Sequence, residues 1–407
     1  MRGVKFLLLI FLLYLFAHSP LVPTFGVLGR MSHQFGIYIL YIIAIFHYLW
    51  KPQKYSYYFR KVKTEFTIFL FIVLYVFLRT LAEGDGEVLT IHIKALLELF
   101  LIPFYFIIYC NSIKVNEERD FIRLFLYLGC VGAVITTACV MSPSFNDYVR
   151  DRFLHLTERD FLFDIDFRGF GISTGLTYEY GIIQGVIIAL GLSYIRDNKW
   201  FLFFIPLMVL SIMLNARTGM VVAFSGLIIF MVDKKIHVGT IFIVAIFLLV
   251  FYSNMEYYMS NLGLNRGSED FIESFAEEIE KVSSTGDFKD TTLGALFRMM
   301  ILPDNFVDWI IGRGYYAFGV QGAKNTDVGF ALQLNYGGLL YVIPLYYLII
   351  RFTKKLFKLG LVKLAVLFIM TFFIANFKGP YLPESGMFRL LVLISIYYFT
   401  KPREVKI

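Results

Sequence analysis

Long apolar stretches recur along the whole chain. We interpret twelve of them as membrane spans, near residues 4–18, 34–50, 66–81, 95–110, 121–142, 180–195, 200–214, 219–232, 238–252, 334–350, 361–377 and 387–400. A helix needs about 20 mostly apolar residues to cross a hydrocarbon core of roughly 30 Å. The sequence therefore predicts an all-α polytopic membrane protein with about 12 transmembrane helices, within a range of roughly 10–14.

Composition supports this fold class. Of the 407 residues, 58% are hydrophobic and 17% are charged, whereas a soluble domain is about 45–50% apolar and about 25% charged. These values exclude an ordinary soluble enzyme and a disordered chain. Pro20 directly follows the weak small-residue pattern at the end of the first run and disfavours signal-peptide cleavage, so we expect a retained first span.

The basic residues predict the orientation. They are densest in two short segments, 51–65 and 351–363, and lysine and arginine in short loops mark the cytoplasmic side. An even number of spans then predicts that both termini are cytoplasmic. The net charge of +7 is explained by this distribution and does not indicate nucleic-acid binding.

Two long acidic loops are predicted on the opposite side. Segment 143–180 carries four basic and seven acidic residues, and segment 253–333 carries six basic and twelve acidic ones. We therefore divide the chain into residues 1–252 with spans 1–9 and the first loop, 253–333 as a large outer loop, and 334–407 with spans 10–12 and a cytoplasmic tail. Long loops are usually functional, so we expect the function on this outer face.

The large loop is predicted to be partly helical. Apolar residues at helical spacing indicate an amphipathic helix over 268–282, and a second helix is expected over 291–300. Pro303 should end that helix, Asp304 can cap a short turn, and Gly312 and Gly314 then break the chain. A solvated acidic cover with no further role is the alternative interpretation of this loop.

Arginines at the predicted outer side are the main candidates for ligand binding. Arg168 precedes span 6, Arg217 lies in the short turn between spans 7 and 8, and Arg298 lies on the second loop helix. Guanidinium groups match phosphate geometry, so three of them in one outer cavity would suit a diphosphate. Each of them could instead pair with a loop acid or a lipid head group.

Two carboxylates are the candidate proton acceptors. Glu179, next to Tyr178, lies at the mouth of span 6, and Asp327 precedes span 10. Asp164 and Asp166 form an Asp-x-Asp pair that could bind a divalent metal, but no nearby residues complete a coordination shell. The three cysteines fall in apolar runs, with no metal-ligand or disulfide spacing. We predict no metal and no cofactor.

Three segments resemble the Wzy-type O-antigen and capsule polymerases and their relatives, the O-antigen ligases. They are Arg168-Gly169-Phe170-Gly171 with Thr177-Tyr178-Glu179-Tyr180-Gly181, then Asn215-Ala216-Arg217-Thr218-Gly219, and then Arg298, Gly312-Arg313-Gly314, Asp327 and Gly337-Gly338. The resemblance implies a GT-C-like bacterial inner-membrane glycosyltransferase with a large periplasmic loop. Ligases place a histidine in the last segment. Segment 253–333 has none, which favours a polymerase.

The resemblance implies a metal-independent transfer. The growing glycan leaves undecaprenyl diphosphate and joins the non-reducing end of a new lipid-linked repeat unit. Arg168, Arg217 and Arg298 are then expected on the diphosphate, and Asp327 or Glu179 at the acceptor hydroxyl.

The expected partners are the lipid-linked oligosaccharide, membrane lipid, and a chain-length regulator and flippase of the same pathway. Tyr178 and Arg313 are further site candidates. Three alternatives stay open: an O-antigen ligase, a flippase or transporter of the same lipid-linked units, and a structural membrane protein.

Overall fold

The computed structural model is predominantly helical over the residues that it describes. It describes residues 2–19, 35–83, 86–115, 117–153, 172, 179–195, 198–215, 218–231, 292–314, 328–379, 383 and 385–401. No strand occurs in these ranges. A chain in lipid must satisfy its backbone hydrogen bonds internally, and a helix does so within each segment.

The helices follow the apolar runs. They are α1 (Arg2–His18), α2 (Phe35–Trp50), α3 (Pro52–Lys61), α4 (Lys63–Glu83), α5 (Gly86–Leu96), a π turn (Leu97–Leu101), α6 (Ile102–Ser112), α7 (Glu118–Met141), α8 (Pro143–Phe153), α9 (Glu179–Ser193), a 3-10 turn (Lys199–Phe203), α10 (Ile205–Met213), α11 (Thr218–Met231), α12 (Thr292–Arg298), α13 (Phe306–Ile311), α14 (Gly329–Lys358), α15 (Val362–Lys378) and α16 (Gly386–Thr400). Eleven of the twelve predicted runs coincide with helices. The run at 238–252 lies outside the described residues.

Four helical stretches of the described chain are long and apolar enough to cross a membrane. They are Lys63–Glu83, Gly86–Ser112, Glu118–Cys139 and Gly329–Lys358. Five shorter apolar helices accompany them. The chain is therefore an all-α, membrane-embedded protein.

The stretch Gly86–Ser112 begins nine residues before the predicted run 95–110. It continues through a π turn at Leu97–Leu101, shortly before Pro103. Proline has no N–H to donate to the carbonyl four residues earlier, and a π turn is one way to accommodate that loss. The earlier start places Glu98 in the middle of the stretch, away from its ends.

The loop segment before α14 matches the prediction except at its cap. The helix expected over 291–300 is α12, which ends at Arg298, before Pro303. The short helix α13 then begins at Phe306. Asn305, not Asp304, caps α13: its side-chain oxygen accepts the Asp308 backbone N–H at 2.8 Å. Asp304 is wrong as the cap because a cap must lie directly before the first helical residue. The helix predicted over 268–282 lies outside the described residues.

The chain divides into two compact units. The first comprises Met1–Leu9, Ile39–Asn116 and Leu296–Ile407, and the second Ile10–Tyr38 and Glu117–Ala295. In the first unit, α14 packs against α4, α13, α15 and α16. Its core consists of large buried side chains such as Phe69, Phe104, Tyr341 and Phe388.

In the second unit, α9 packs against α7, α10 and α11. Small residues let α9 and α11 approach closely: a Cβ at Gly185 would overlap the Gly219 carbonyl, and a Cβ at Gly219 would overlap the Gly181 backbone. Such small-residue contacts are typical of helix pairs in membranes. They place the first turns of α9 and α11 side by side.

Candidate functional site

A cluster of buried polar side chains occupies one end of the second unit. We call it the polar cluster: Tyr14, His18, Thr136, Tyr180 and Gln184, all buried. The Thr136 and Tyr180 hydroxyls lie 2.9 Å apart, and Gln184 Nε2 donates to the Tyr180 hydroxyl at 3.1 Å. The His18 ring lies 4.6 Å from the Tyr14 ring and 5.3 Å from the Tyr180 ring, centroid to centroid. The cluster therefore combines aromatic faces with uncharged hydrogen-bonding groups.

Tyr14 and Gln184 each have a buried polar atom without a hydrogen-bond partner among the described residues. These atoms are the Tyr14 hydroxyl and Gln184 Oε1. Gln184 uses its Nε2 for Tyr180 and for the Gly129 carbonyl at 3.2 Å, which leaves the oxygen lone pairs open. A buried polar atom without a partner costs about 1–3 kcal/mol. Gln184 Oε1 can therefore accept a hydrogen bond from a bound hydroxyl group or water, and the Tyr14 hydroxyl can donate or accept one.

Glu179 lies beside this cluster. It is the first residue of α9, is half-buried, and directly precedes Tyr180. The first turn of α11 begins at Thr218 next to the first turn of α9, as the Gly181–Gly219 contact requires. Asn215, at the end of α10, is buried and donates from Nδ2 to the Ser211 carbonyl at 2.8 Å. Glu179, Asn215 and the first turn of α11 therefore share one end of the second unit.

A second group of polar residues lies in the first unit, where residues 312–314 meet α14. We call residues 312–314 the glycine loop. The backbone N–H groups of Arg313 and Gly314 donate to the Asn335 and Tyr336 carbonyls at 2.6 and 2.9 Å. Gly312 and Gly314 have φ values of 70° and 81°, a region that favours glycine. The Gly-x-Gly pattern is thus explained by the path of the backbone.

Arg313 forms ion pairs within its own segment. Its Nε donates to Asp308 Oδ2 at 2.5 Å, and its Nη2 donates to Asp304 Oδ2 at 2.6 Å. The hydrogen bonds with Asp308 and Asp304 raise the pKa of the guanidinium above its usual value. Arg313 therefore ties α13 to the glycine loop.

Residues of α4 complete this group, and sequence reasoning missed them. The Tyr75 hydroxyl donates to the Ile311 carbonyl at 2.8 Å and to the Gly337 carbonyl at 2.9 Å. Arg79 pairs with Glu83 and lies 3.4 Å from the Gly312 carbonyl. The i,i+4 spacing of Arg79 and Glu83 at the end of an apolar run was the signal that could have found them.

The remaining sequence candidates are distributed as follows. Arg298 is the last residue of α12, is exposed, and belongs to the first unit, whereas Glu179 belongs to the second. Four candidates lie outside the described residues: Arg168, Tyr178, Arg217 and Asp327. Asp164 and Asp166 also lie outside them. Within the described ranges, no group of three or more His, Cys, Asp or Glu side chains could hold a metal ion.

Glu98 and Arg389 form a buried ion pair within the first unit. Glu98 and Arg389 are 7% and 8% exposed, and Glu98 Oε2 lies 3.3 Å from Arg389 Nε. The Tyr41 hydroxyl donates to the other carboxylate oxygen. The two residues stand 291 positions apart in the sequence, and sequence reasoning missed Arg389.

Comparison with protein-family models, with curated proteins and with solved structures found no match. The functional interpretation therefore depends on the residues and contacts of this chain. The two groups differ in character. The polar cluster consists of aromatic, hydroxyl and amide groups with a carboxylate beside it, whereas the glycine loop is held by charge-assisted hydrogen bonds.

We expect Arg313→Gln to loosen the glycine loop. Amide hydrogen exchange over residues 306–314 should accelerate by about fivefold, because two partly solvated ion pairs are lost. Hydrogen–deuterium exchange with mass spectrometry on the purified protein measures this change. Arg298→Gln is the matched control and should leave the exchange of residues 306–314 unchanged. Unchanged exchange in Arg313→Gln would show that the ion pairs do not hold the segment.

Proposed function

We propose that the chain is a polymerase of undecaprenyl-diphosphate-linked oligosaccharide repeat units. The bond between the anomeric carbon and the diphosphate oxygen breaks, and the diphosphate leaves with the electron pair. An acceptor hydroxyl on the non-reducing sugar of a new unit forms the new glycosidic bond and gives its proton to a carboxylate. The product is a longer glycan on undecaprenyl diphosphate, destined for O-antigen or capsule.

The observation that carries the proposal is the position of Glu179 at the end of the second unit where α11 also begins. Two helices, α9 and α11, begin there side by side. Helix N-termini carry partial positive charge and favour phosphate groups. Arg217 directly precedes the first residue of α11 in the sequence. A carboxylate next to an anion-binding helix end is the arrangement that this transfer requires.

The polar cluster supports a sugar as the second ligand. Sugars present many hydroxyl groups and apolar ring faces, and the cluster offers an uncharged hydroxyl, an open amide oxygen and aromatic rings. The cluster contains no lysine or arginine that could attract the diphosphate. Within the second unit, we assign the diphosphate to Arg168 and Arg217 and the acceptor proton to Glu179.

The direction of the helices supports the finer topology. His18, Thr136 and Asn215 lie at or near the C-terminal ends of α1, α7 and α10, whereas α9 and α11 begin near the polar cluster. This arrangement of helix ends supports the proposed topology, in which spans 1, 5 and 7 run opposite to spans 6 and 8. We propose twelve spans in a GT-C-like arrangement, in a bacterial inner membrane, with cytoplasmic termini and a periplasmic site.

The alternatives predict different glycans in a deletion strain. A polymerase deletion leaves a single capped repeat unit on the lipid core, in place of long chains. Loss of every unit from the core indicates a ligase or a flippase, and accumulation of lipid-linked polymer in the periplasm then singles out a ligase. Gel separation of the extracted glycolipids distinguishes these patterns.

The direct test uses the purified protein with a synthetic undecaprenyl-diphosphate repeat unit in EDTA. The wild type should form a ladder of longer products. Arg217→Ala should slow ladder formation by at least about 100-fold, the usual effect of removing a preorganised group from a developing negative charge. Arg119→Ala removes an exposed arginine from the same unit and should match the wild type. No wild-type ladder from the cognate unit would overturn the proposed function, and a ladder unaffected by Arg217→Ala would overturn the assigned site.

A further inference from the structure

Helix α3 has two chemically distinct faces. Tyr55 and Tyr58 point into the first unit and are buried, as is Val62, which directly follows α3. Lys54, Arg60 and the other residues of the opposite face are exposed. The buried residues recur at intervals of three and four, which is the pattern of an amphipathic helix. The helix is short, and its exposed face is too polar to lie in hydrocarbon.

Specific contacts hold α3 in place. The Tyr55 hydroxyl lies 2.7 Å from His47 Nδ1, and Asn111 Nδ2 donates to the Tyr58 hydroxyl at 3.2 Å. The Lys355 ammonium donates to the Lys61 carbonyl at 2.8 Å and so ties the end of α3 to α14. The exposed face of α3 therefore has a fixed orientation on the first unit.

No acidic side chain of the described residues forms an ion pair with the cations on this face. Glu65, the acid nearest to them in the sequence, is fully buried and is held by Arg351 at 3.2 Å and by Lys355 at 2.7 Å. Within the described chain, Lys54 and Arg60 form no ion pair with an acidic side chain. The face consequently carries positive charge that nothing in the described ranges neutralises.

Aromatic residues border these cations. The Trp50 side chain is 81% exposed, and the Lys51 ammonium lies 5.4 Å from the centre of its ring. The Lys61 ammonium lies 5.5 Å from the ring of Tyr57, which is also exposed. Exposed tryptophan and tyrosine next to lysine are typical of the level of lipid head groups, where the ring is partly apolar and the cation is solvated.

We propose that α3 is an interfacial helix whose exposed face binds the head groups of anionic phospholipids. We call this surface the basic face: Lys51, Lys54, Arg60 and Lys61, bordered by Trp50 and Tyr57. Lysine and arginine near an anionic membrane surface each favour binding by about fivefold, and the attraction weakens as salt screens it. The site is a lipid-binding surface that is independent of the polymerase activity.

Trp50 provides a local probe of the lipid beside the basic face. We would replace Trp200 and Trp309 with phenylalanine, which leaves Trp50 as the single tryptophan, since the chain has three. The protein is reconstituted into vesicles of phosphatidylcholine and phosphatidylglycerol, with one or the other lipid brominated. Brominated phosphatidylglycerol should quench Trp50 fluorescence more strongly than brominated phosphatidylcholine. We expect about tenfold enrichment at low salt and a smaller enrichment at high salt.

Three combined variants test whether charge on the basic face causes the preference. Combined Lys54→Gln, Arg60→Gln and Lys61→Gln should abolish the preference for phosphatidylglycerol. Combined Gln53→Ala and Ser56→Ala changes the exposed face of α3 without altering charge and should retain the preference. Equal quenching by the two lipids in the Trp50 protein would overturn the proposal, as would a preference that survives in the triple variant. Combined Lys54→Arg and Lys61→Arg keeps the charge while changing the side chains and should keep the preference, which separates the effect of charge from that of side-chain identity.

Discussion

Replacing Glu98 with glutamine is expected to cost about 3–5 kcal/mol of stability, because removing one member of a buried ion pair leaves the other charge uncompensated. Arg389 is 8% exposed and would lose the carboxylate 3.3 Å away. The remaining amide could accept one hydrogen bond but could not balance the guanidinium charge. Thermal or detergent-induced unfolding of the purified protein, followed by tryptophan fluorescence, measures the loss.

The effects of substituting Glu98 and Arg389 on stability should be non-additive. Arg389→Met should be about as damaging as Glu98→Gln, whereas combined Glu98→Leu and Arg389→Met should cost much less than the sum of the two. Glu87→Gln, an exposed carboxylate on the same helical stretch, is the matched control and should change stability by less than about 0.5 kcal/mol. A Glu98→Gln protein as stable as the control would show that the buried pair contributes nothing.

Gly338→Ala is expected to destabilise the first unit by at least about 3 kcal/mol, from backbone strain of about 1–3 kcal/mol and a steric overlap in addition. Gly338 has φ 58° and ψ −162°, a region that is essentially restricted to glycine, and it kinks α14. A Cβ there would overlap the backbone of Ile310 and Gly312. The substitution should therefore detach α13 and the glycine loop from α14. Unfolding and hydrogen exchange over residues 306–314 together measure this effect.

Substitutions at two other glycines separate the cost of backbone strain from the cost of steric overlap. Gly360 also has a positive φ, 75°, but a Cβ there would meet nothing within 4 Å. Gly360→Ala should cost only the left-handed strain, about 1–2 kcal/mol. Gly86 has open space and no positive φ, so Gly86→Ala should be neutral or slightly stabilising. Equal losses at Gly338 and Gly360 would show that the contact with residues 310–312 is unimportant.

The helical architecture was largely predictable from local sequence. Apolar runs of adequate length must form helices in lipid, so eleven of the twelve predicted runs coincide with helices. Proline and glycine signals also located the breaks around Pro303, Gly312 and Gly314, because their effects act on neighbouring residues. The cap at Asn305 was missed because two capping residues stand side by side, and the geometry of the turn selects the second.

The candidate site was only partly predictable. Glu179 was identified from its place at the mouth of a span, yet Tyr14, His18 and Gln184 look like ordinary members of apolar runs. They become a polar cluster only when α1, α7 and α9 pack together. A sequence pattern reports which face of a helix is apolar, but it does not report which helices become neighbours.

The sequence by itself determined the membrane-embedded helical class, the basic and acidic segments, and the glycines at which the backbone turns. Those properties follow from hydrophobicity, charge and local backbone sterics, which act within a few residues. Only the tertiary structure decided that Glu98 pairs with Arg389 and that Tyr75 holds the Ile311 and Gly337 carbonyls. Such contacts join residues hundreds of positions apart, and they are selected by packing and by the need to satisfy buried polar groups.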